Sequence, residues 1–296
     1  MTAEPEDAAP HEPVTGGTAR IGISGWRYPY WRGTFYPKGL PQRRELEYAS
    51  RQLPTIEVNG SFYSLQRPAS WAAWRDTVPD DFVFAVKGGR YLTHMLRLAN
   101  TRPALANFFA QGVLSLGAKL GPVLWQIPAT LHYDERLLDE FLTQLPRTTG
   151  QAAALARGYD ARLEGRTALD LHPLDGDRPL RHALEVRHES FGHPDFLQIL
   201  RRHQVALVVS DSAETWPAFT EVTADFVYVR LHGQGELYVG GYTDDALDDW
   251  AGQVRGWQSG SGCPDGRGRD VFVYFDNDTK VRAPFDAMGL IERLRR

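Results

Sequence analysis

Four stretches of the chain run apolar for several residues and then end on charged or amide side chains: TIEVNGSFY (55–63), HALEVR (182–187), FVYVRLHG (226–233) and DVFVYFDND (270–278). Runs rich in β-branched and aromatic residues and bounded by polar ones are typical of buried strands. When parallel strands are wrapped by helices, the carboxyl ends of all strands lie on one side. The polar ends of these four strands are therefore expected to meet, which predicts both a fold and a site.

The order of elements along the chain predicts an α/β protein built as a single (β/α)8 TIM-type barrel. Eight strands are predicted, at 19–25, 55–59, 82–87, 120–128, 182–187, 205–211, 226–232 and 270–276. Helices are predicted at about 43–52, 71–77, 105–116, 134–145, 195–203, 244–257 and 284–295. A doubly wound open sheet is the competing topology. The barrel is favoured because the chain has neither G-x-G-x-x-G after the first strand nor G-x-x-x-x-G-K-[ST].

Two segments fall outside this alternation. Residues 1–18 are rich in Pro, Glu, Ala and Gly and are predicted to be a disordered N-terminal tail, which leaves 19–296 for the barrel domain. Residues 146–181 are polar and longer than the usual connection, so they are interpreted as an insertion between the fourth helix and the fifth strand.

Composition narrows the function classes. The net charge of −4 and the pI near 6.1 give no global attraction to nucleic acid or to anionic membranes. The single Cys263 excludes an internal disulfide and fits a reducing compartment. The N-terminus lacks the apolar core of a signal peptide, and no run approaches the roughly 18 apolar residues of a membrane span. A cytoplasmic location is expected, and the oligomeric state stays open.

Seven blocks of the chain stand out in order: GISGWRYPYWRGTFYP (22–37), EVNGSFY (57–63), FVFAVKGGRYLTH (82–94), LGPVLWQIP (120–128), ALEVRHESF (183–191), YVRLHG (228–233) and YFDND (274–278). In these blocks and their order the chain resembles the YecE-like family, domain of unknown function seventy-two. The resemblance covers the chain from about residue 20 onward and implies a TIM-type barrel, but no reaction. The chain departs from the family pattern at Asp286, where Asn is more usual.

The candidate site residues come from the predicted strand ends. Side chains alternate along a strand, so residues two apart share one face. Three pairs of this kind are Glu57 with Asn59, Glu185 with Arg187, and Arg230 with His232. Lys87, Gln126, Asp211 and Asn277 lie at or just past other strand ends, and Tyr238 and Tyr242 lie in the loop after the seventh strand. We expect these side chains to line one cavity at the C-terminal face of the barrel.

Three of these residues are predicted to be catalytic. His232 is the best acid–base candidate, because an imidazole beside the small Gly233 allows close approach of a ligand. Glu57 and Glu185 are candidates for proton transfer, and arginines nearby would favour the base over the acid role. The other residues of the set are assigned to substrate binding. His94, in the loop after the third strand, could line the mouth of the barrel, but a lone loop histidine is usually solvated, so it is not assigned to the site.

Lys87 closes a strand in a chain that has only four lysines among 33 basic residues. It could pair with an anion or form a Schiff base, and anion pairing is favoured. The carboxylates at the strand ends are matched by Lys87, Arg187 and Arg230. That mixture favours an anionic or polyhydroxylated ligand over a divalent cation, so no cofactor is predicted.

Three functions remain open. The favoured hypothesis is an enzyme without a metal that binds a small anionic or polyhydroxylated ligand and transfers protons. The second is a metal-dependent hydrolase or phosphoesterase, acting on nucleic acid or another phosphate ester, with Glu57, Glu185, Asp211 and His232 as ligands. The third is a barrel that binds a ligand or partner without catalysis.

Overall fold

The chain forms a closed barrel of eight parallel strands in sequence order. The structure is a computed structural model, and it describes residues 16–169 and 176–296. The strands are β1 (Ala19–Ser24), β2 (Thr55–Val58), β3 (Val83–Lys87), β4 (Leu120–Gln126), β5 (His182–Glu185), β6 (Val205–Asp211), β7 (Phe226–Leu231) and β8 (Asp270–Phe275). Pairing of β1 with β8, with Gly22 opposite Tyr274, closes the barrel. The prediction of a (β/α)8 barrel is confirmed.

Helices separate most of these strands. They are α1 (Glu45–Gln52), α2 (Gly60–Tyr63), α3 (Pro68–Thr77), α4 (Arg102–Ala110), α5 (Glu135–Thr143), α6 (Thr149–Ala156), α7 (Pro194–Arg202), α8 (Asp244–Ser259) and α9 (Ala283–Leu294). The helix predicted over 105–116 is α4, which begins earlier and ends at Ala110. It ends there because Gly112 adopts a φ of +102°, a conformation that side chains with a Cβ rarely adopt.

The segment interpreted as an insertion contains a helix that the sequence pattern did not reveal. Helix α6 begins after Thr148, whose side chain accepts a hydrogen bond from the Gln151 backbone N–H, and it packs against α4. Residues 170–175 of this segment lie outside the described residues, and its interpretation as an insertion stays a prediction. Of the predicted tail, residues 1–15 also lie outside them, whereas the Thr18 backbone N–H donates to Asp270 at the start of β8.

The lower part of the barrel is filled by side chains of unequal size. Strands β7 and β8 contribute four large aromatic rings, and the facing strands contribute mostly small residues. This interior cluster is formed by Phe226, Tyr228, Phe272, Tyr274, Ala85, Leu124, Ala183, Ala206 and Val208. Lys87 and Arg230 lie two residues beyond Ala85 and Tyr228 of this cluster, so the alternation of side chains directs them into the barrel as well. Glu57 lies two residues beyond Thr55, whose hydroxyl is 2.8 Å from the inward Tyr274 hydroxyl, and it points inward for the same reason. The open end of the barrel therefore receives the polar side chains.

No helix within residues 16–169 and 176–296 has both the length and the apolar character needed to cross a membrane.

Candidate functional site

A network of ion pairs around Arg230 lies above the aromatic layer. Its guanidinium is fully buried and forms a bidentate pair with Glu57, with Nε to Oε2 at 3.1 Å and Nη2 to Oε1 at 2.9 Å. Nη1 donates to Glu185 Oε2 at 2.8 Å, and Nη2 also donates to Asp276 Oδ2 at 3.0 Å. One arginine of β7 thus joins carboxylates from β2 and β5 and from the residue that follows β8.

The carboxylates of this network have further donors. Tyr228 donates its hydroxyl hydrogen to Glu57 Oε2 at 2.7 Å. Arg187 donates from Nε to Glu185 Oε1 at 2.8 Å. Burial alone would raise the pKa of Glu185, but Arg187 and then Arg230 hold it well below its ordinary value. Buried charges are stable only when they are paired and hydrogen-bonded in this way.

A cavity of about 710 Å³ opens directly above the network, at the C-terminal mouth of the barrel. Its walls come from the segments that follow β1, β2, β3, β4, β5, β7 and β8. Its polar lining consists of Arg27, Tyr28, Asn59, Tyr63, Gln66, Lys87, Arg90, His94, Gln126, Arg187, Tyr238, Asp276 and Asp278, and its apolar lining includes Trp26, Phe62 and Trp74. This is the position at which barrel enzymes carry their active sites.

Lys87 presents an ammonium group without a counter-ion to this cavity. Its Nζ lies 4.5 Å from the centre of the Phe62 ring. Within the described part of the chain, Nζ has neither a hydrogen bond nor an ion pair. Burial, and then the nearby charge of Arg230, lower the pKa of Lys87 to about 8. The side chain is 8% exposed, so a ligand in the cavity would be its natural partner.

Further basic groups surround Lys87 on one side of the cavity. Arg187 stacks its guanidinium on Trp216, with Cζ 3.7 Å from the ring centre. His94 is half-buried on this wall, and burial together with the charges of Lys87, Arg187 and Arg90 lowers its pKa. His94 is therefore a neutral imidazole at neutral pH.

The cavity lining also contains two carboxylates, Asp276 and Asp278. Burial would raise the pKa of Asp276, but Arg230 and then His232 hold it well below its ordinary value. Burial raises the pKa of Asp278, which accepts a hydrogen bond from the Tyr30 hydroxyl at 2.5 Å. The lining thus combines these carboxylates with the basic groups Lys87, His94, Arg90 and Arg187, here called the basic wall.

His232 lies between the network and the loop after β7. Its ring is fully buried, with Nδ1 3.0 Å from Asp276 Oδ2 and Nε2 3.7 Å from Glu185 Oε1. Neither nitrogen reaches a partner at good hydrogen-bond geometry among the described residues. The rings of Trp216 and Tyr238 cover it edge-on, at 5.5 and 5.4 Å between centres.

The structure sorts the residues proposed from the sequence into three groups. Asn59, Lys87, Gln126, Arg187 and Tyr238 line the cavity. Glu57, Glu185, Arg230 and His232 lie deeper in the barrel, within or against the ion-pair network. Asp211, Tyr242 and Asn277 lie outside the cavity and bind other parts of the protein.

A family model described as "Protein of unknown function DUF72" matches residues 20–296. The chain belongs to this family. The resemblance inferred from the seven sequence blocks is thereby confirmed. The DUF72 description assigns no ligand and no reaction.

Two curated relatives of this DUF72 chain are known by similar names. The UPF0759 protein YecE of Escherichia coli K12 is 26% identical over 180 residues, which are 55% of this chain and 63% of YecE. That match spans less than two thirds of the relative's length. The UPF0759 protein YunF of Bacillus subtilis 168 is 23% identical over 305 aligned positions, covering 93% of this chain and 94% of YunF.

Two crystal structures of DUF72 family proteins have the same fold. The protein from Thermotoga maritima matches with a TM-score of 0.72 at 22% identity, covering 94% of this chain and all of the other. The protein from Enterococcus faecalis matches with a TM-score of 0.67 at 18% identity, covering 95% of this chain and 99% of the other. At these identities the likeness supports the barrel fold alone.

Side-chain parity explains which strand-end residues of the DUF72 barrel miss the cavity. The inward positions of β6 are Ala206, Val208 and then Ser210, so Asp211 points away from the barrel interior. On β8 the series Phe272 and Tyr274 continues to Asp276, so the adjacent Asn277 points away as well. Asn277 Nδ2 instead donates to Asp286 Oδ2 at 2.8 Å, so the family departure at Asp286 concerns a contact outside the cavity.

Several groups that line the DUF72 cavity, among them Asp276, Arg90 and His94, were not assigned to the site from the sequence. Asp276 could have been found by the same parity, because it lies two residues after Tyr274. His94 was considered for the barrel mouth and judged more typical of a solvated loop histidine, but the helical turns after β3 bring it and Arg90 to the cavity wall. No periodic signal marks such turns, since they follow the strand as irregular structure.

The arrangement of the DUF72 carboxylates does not suit a metal ion. Arg230 occupies the space between Glu57, Glu185 and Asp276, where a cation ligated by these side chains would lie. Across residues 16–169 and 176–296, no group of three or more His, Cys, Asp or Glu side chains is placed to hold a metal ion.

Replacement of Tyr242 tests whether this residue, which lies outside the cavity, stabilises the fold rather than binding a ligand. It donates its hydroxyl hydrogen to Asp211 Oδ2 at 2.9 Å and accepts from the Gly233 backbone N–H at 3.2 Å. Tyr242→Phe is expected to lower the free energy of unfolding by about 1–3 kcal/mol, because it leaves these buried groups unpaired. Sulfate binding, measured by calorimetry, is expected to be unchanged.

The matched control is Tyr238→Phe, because the Tyr238 hydroxyl has no hydrogen bond within the described residues and lines the cavity. This variant is expected to keep the wild-type stability in urea denaturation. A Tyr242→Phe protein of normal stability that binds sulfate weakly would place Tyr242 in the ligand site.

Proposed function

We propose that this protein is an enzyme that binds a small anionic substrate in the cavity at the C-terminal mouth of the barrel and transfers protons there. One observation carries the proposal. The Lys87 ammonium faces the cavity and has no counter-ion among the residues that the structure describes. Every carboxylate of the network beneath it is already paired with Arg230.

An anionic ligand would complete the charge pairing of the cavity. Its anionic group would contact Lys87 on the basic wall, near Arg187 and Arg90. A hydrogen bond between charged groups contributes about 1.5–3 kcal/mol when it is shielded from water. The cavity volume of about 710 Å³ is typical of small-molecule sites.

The remaining polar lining supports a ligand that also carries hydroxyl groups. Gln126 and Asn59 bring amide groups to the cavity, and Asn59 Oδ1 is a buried acceptor without a partner within the described chain. A substrate hydroxyl would satisfy it. Both features favour a sugar acid, a hydroxy acid or a phosphorylated polyol over an apolar ligand.

Lys87 and His94 are the groups best placed to exchange protons with such a substrate. A pKa of about 8 for Lys87 leaves both protonation forms accessible near neutral pH, which is the range in which general acid–base catalysis is efficient. The imidazole of His94 is neutral there and can accept a proton. Arg187 and Arg230 hold the pKa of Glu185 well below its ordinary value, and Glu57 forms a bidentate ion pair with Arg230, so we assign both carboxylates to positioning these arginines. His232, the first acid–base candidate from the sequence, lies beneath the cavity with Nδ1 3.0 Å from Asp276 Oδ2, so we assign it to positioning Asp276.

The proposed chemistry uses side chains of this chain alone. The metal-dependent hydrolase is not carried forward, because Arg230 fills the centre of the carboxylate cluster. A ligand-binding barrel without catalysis shares the same cavity, and turnover distinguishes it from an enzyme.

A ligand panel tests the proposal. At pH 7 and constant ionic strength, sulfate, phosphate and glycolate are expected to raise the melting temperature of the protein above that in chloride, whereas neutral myo-inositol has a smaller effect. A ligand that binds only the folded protein raises its free energy of unfolding and therefore its melting temperature. Lys87→Met is expected to remove the anion effect, and Lys38→Met, at an exposed lysine, is the matched control.

Catalysis is tested on the anion that binds best and on any ligand that co-purifies. Loss of its exchangeable C–H signals in deuterated water, followed by nuclear magnetic resonance, would demonstrate proton transfer. Equal stabilisation by inositol and by the anions, unaffected by Lys87→Met, would contradict the proposal.

A further inference from the structure

We propose that Lys87 is a covalent catalyst that forms an imine with an aldehyde or ketone group of the anionic substrate. This inference rests on the proposed function and narrows its substrate class to carbonyl-bearing anions, such as oxo acids and phosphorylated aldoses or ketoses. Within the proposed site, it gives Lys87 a role beyond charge pairing.

The surroundings of Lys87 favour a nucleophilic amine over a permanent ammonium. A carboxylate in contact would keep the side chain protonated, and in the part of the chain that is described Nζ contacts no carboxylate. Nζ lies 4.5 Å from the centre of the Phe62 ring. Burial and the charge of Arg230 lower the pKa of Lys87, and they outweigh the charges of Glu57, Glu185 and Asp276, which raise it. Burial next to another cation is a recognised way in which proteins make a lysine reactive.

The other three lysines differ from Lys87 in this respect. Lys119 donates to the backbone oxygens of Arg75 and Val78, at 2.9 Å each, and lies 3.5 Å from Asp80. Lys38 and Lys280 are exposed to water. Lys87 is therefore the lysine, among the four, that combines a buried amine with an accessible cavity.

The cavity also offers groups that would bind the anionic part of the substrate. Arg187 and Arg90 line it together with Lys87 and would bind a carboxylate or phosphate. Phe62 packs against both the Lys87 ammonium and the His94 ring, which lies 5.2 Å from it between ring centres. We therefore infer that the carbonyl group of such a substrate reaches Nζ.

The covalent step balances without any further reagent. The neutral Nζ attacks the carbonyl carbon, a C–N bond forms, and the π electrons of the carbonyl move to oxygen, which takes up a proton from solvent. The nitrogen loses one proton to solvent, the oxygen takes a second solvent proton and leaves as water, and a protonated imine remains. The positive imine then draws electrons from the adjacent carbon, which eases loss of a proton there.

Borohydride trapping with glyoxylate tests the inference. At pH 7.5, a lysine with a pKa of about 8 is roughly one quarter free amine, whereas an exposed lysine is free to about one part in a thousand. Peptide mapping by mass spectrometry is expected to find carboxymethyl adducts on Lys87 at least about tenfold faster than on Lys38 or Lys280. Glycolate, which has the same charge but no carbonyl, is expected to compete with the labelling and to give no adduct.

Lys87→Arg separates the covalent role from charge pairing. Arginine keeps the positive charge but forms no imine, so this variant is expected to bind sulfate and to lose site-specific trapping. Trapping on Lys87 no faster than on Lys38, in a protein that still binds sulfate, would overturn the imine and leave the proposed function intact. A protein that binds neither sulfate nor glycolate would overturn both.

Discussion

Replacement of Arg230 by methionine is expected to lower the free energy of unfolding by about 3–5 kcal/mol at neutral pH, because it leaves buried carboxylates without their partner. Glu57 and Glu185 are at most 1% exposed, and Arg230 is fully buried. Methionine replaces the aliphatic stem of arginine but lacks the guanidinium, so the change removes the cation and its hydrogen bonds. Urea denaturation followed by tryptophan fluorescence measures this effect.

The destabilisation is expected to shrink at acid pH. In the wild type, Arg187 and Arg230 hold the pKa of Glu185 below its unfolded value, so this stabilisation is present above about pH 4.3 and is lost as pH falls through the folded pKa. In Arg230→Met, the buried side chains of Glu57 and Glu185 have lost this cation, so burial favours their protonated, neutral form. The difference in the free energy of unfolding between Arg230→Met and the wild type is therefore largest at pH 7 and smaller near pH 4.

Two further variants serve as controls for the Arg230 prediction. Arg230→Lys keeps a charge but not the bidentate geometry, and an intermediate loss is expected. Arg51→Met removes an exposed arginine of α1 that pairs with Glu47, and a change within about 1 kcal/mol is expected. A loss below about 1 kcal/mol for Arg230→Met at pH 7 would show that the network does not depend on its arginine.

The barrel could be predicted from the sequence because each strand carries its own signal. TIEV, HALE, FVYVRL and DVFVYF are short apolar runs that end on polar residues, and each forms a strand close to its predicted bounds. Helix α6 was missed because TGQAAALA lacks the amphipathic alternation of a surface helix and lies in a polar segment. Its cap at Thr148 was the signal available.

The site could be predicted in its location and only partly in its chemistry. The shared faces of Glu57 with Asn59 and of Arg230 with His232 follow from the alternation of a strand. The sequence does not show that Arg230 contacts three carboxylates at once, because those partners come from β2, β5 and the end of β8. In that contact Glu57 and Glu185 are each paired with Arg230, whereas the Lys87 ammonium has no ion pair among the described residues. The catalytic roles of Glu57 and Glu185 stay predictions.

Lys87→Met is expected to weaken sulfate binding by about 10- to 100-fold at pH 7, because it removes a charge-assisted contact of about 1.5–3 kcal/mol from a buried site. The barrel itself is expected to remain stable, since the ammonium contributes no hydrogen bond within the described residues and its burial costs free energy. Lys38→Met, at an exposed position, is expected to leave the affinity unchanged.

The affinity for sulfate is also expected to depend on pH through Lys87. Binding requires the ammonium form, and sulfate keeps its charge across the range. With a pKa of about 8, Lys87 is protonated at pH 7 and mostly neutral at pH 9.5, so the affinity of the wild type is expected to fall by roughly tenfold or more between these values. Lys87→Arg is expected to bind sulfate with little dependence on pH, because its guanidinium stays charged.

Calorimetric titration of sulfate into the wild type, Lys87→Met and Lys87→Arg at pH 7 and pH 9.5 tests most directly whether the cavity is an anion site centred on Lys87. Binding that is strongest in the wild type at pH 7, weak in Lys87→Met at both values, and insensitive to pH in Lys87→Arg is the predicted result. Equal affinity of the wild type and Lys87→Met at pH 7, or an affinity of the wild type that does not change with pH, would contradict it.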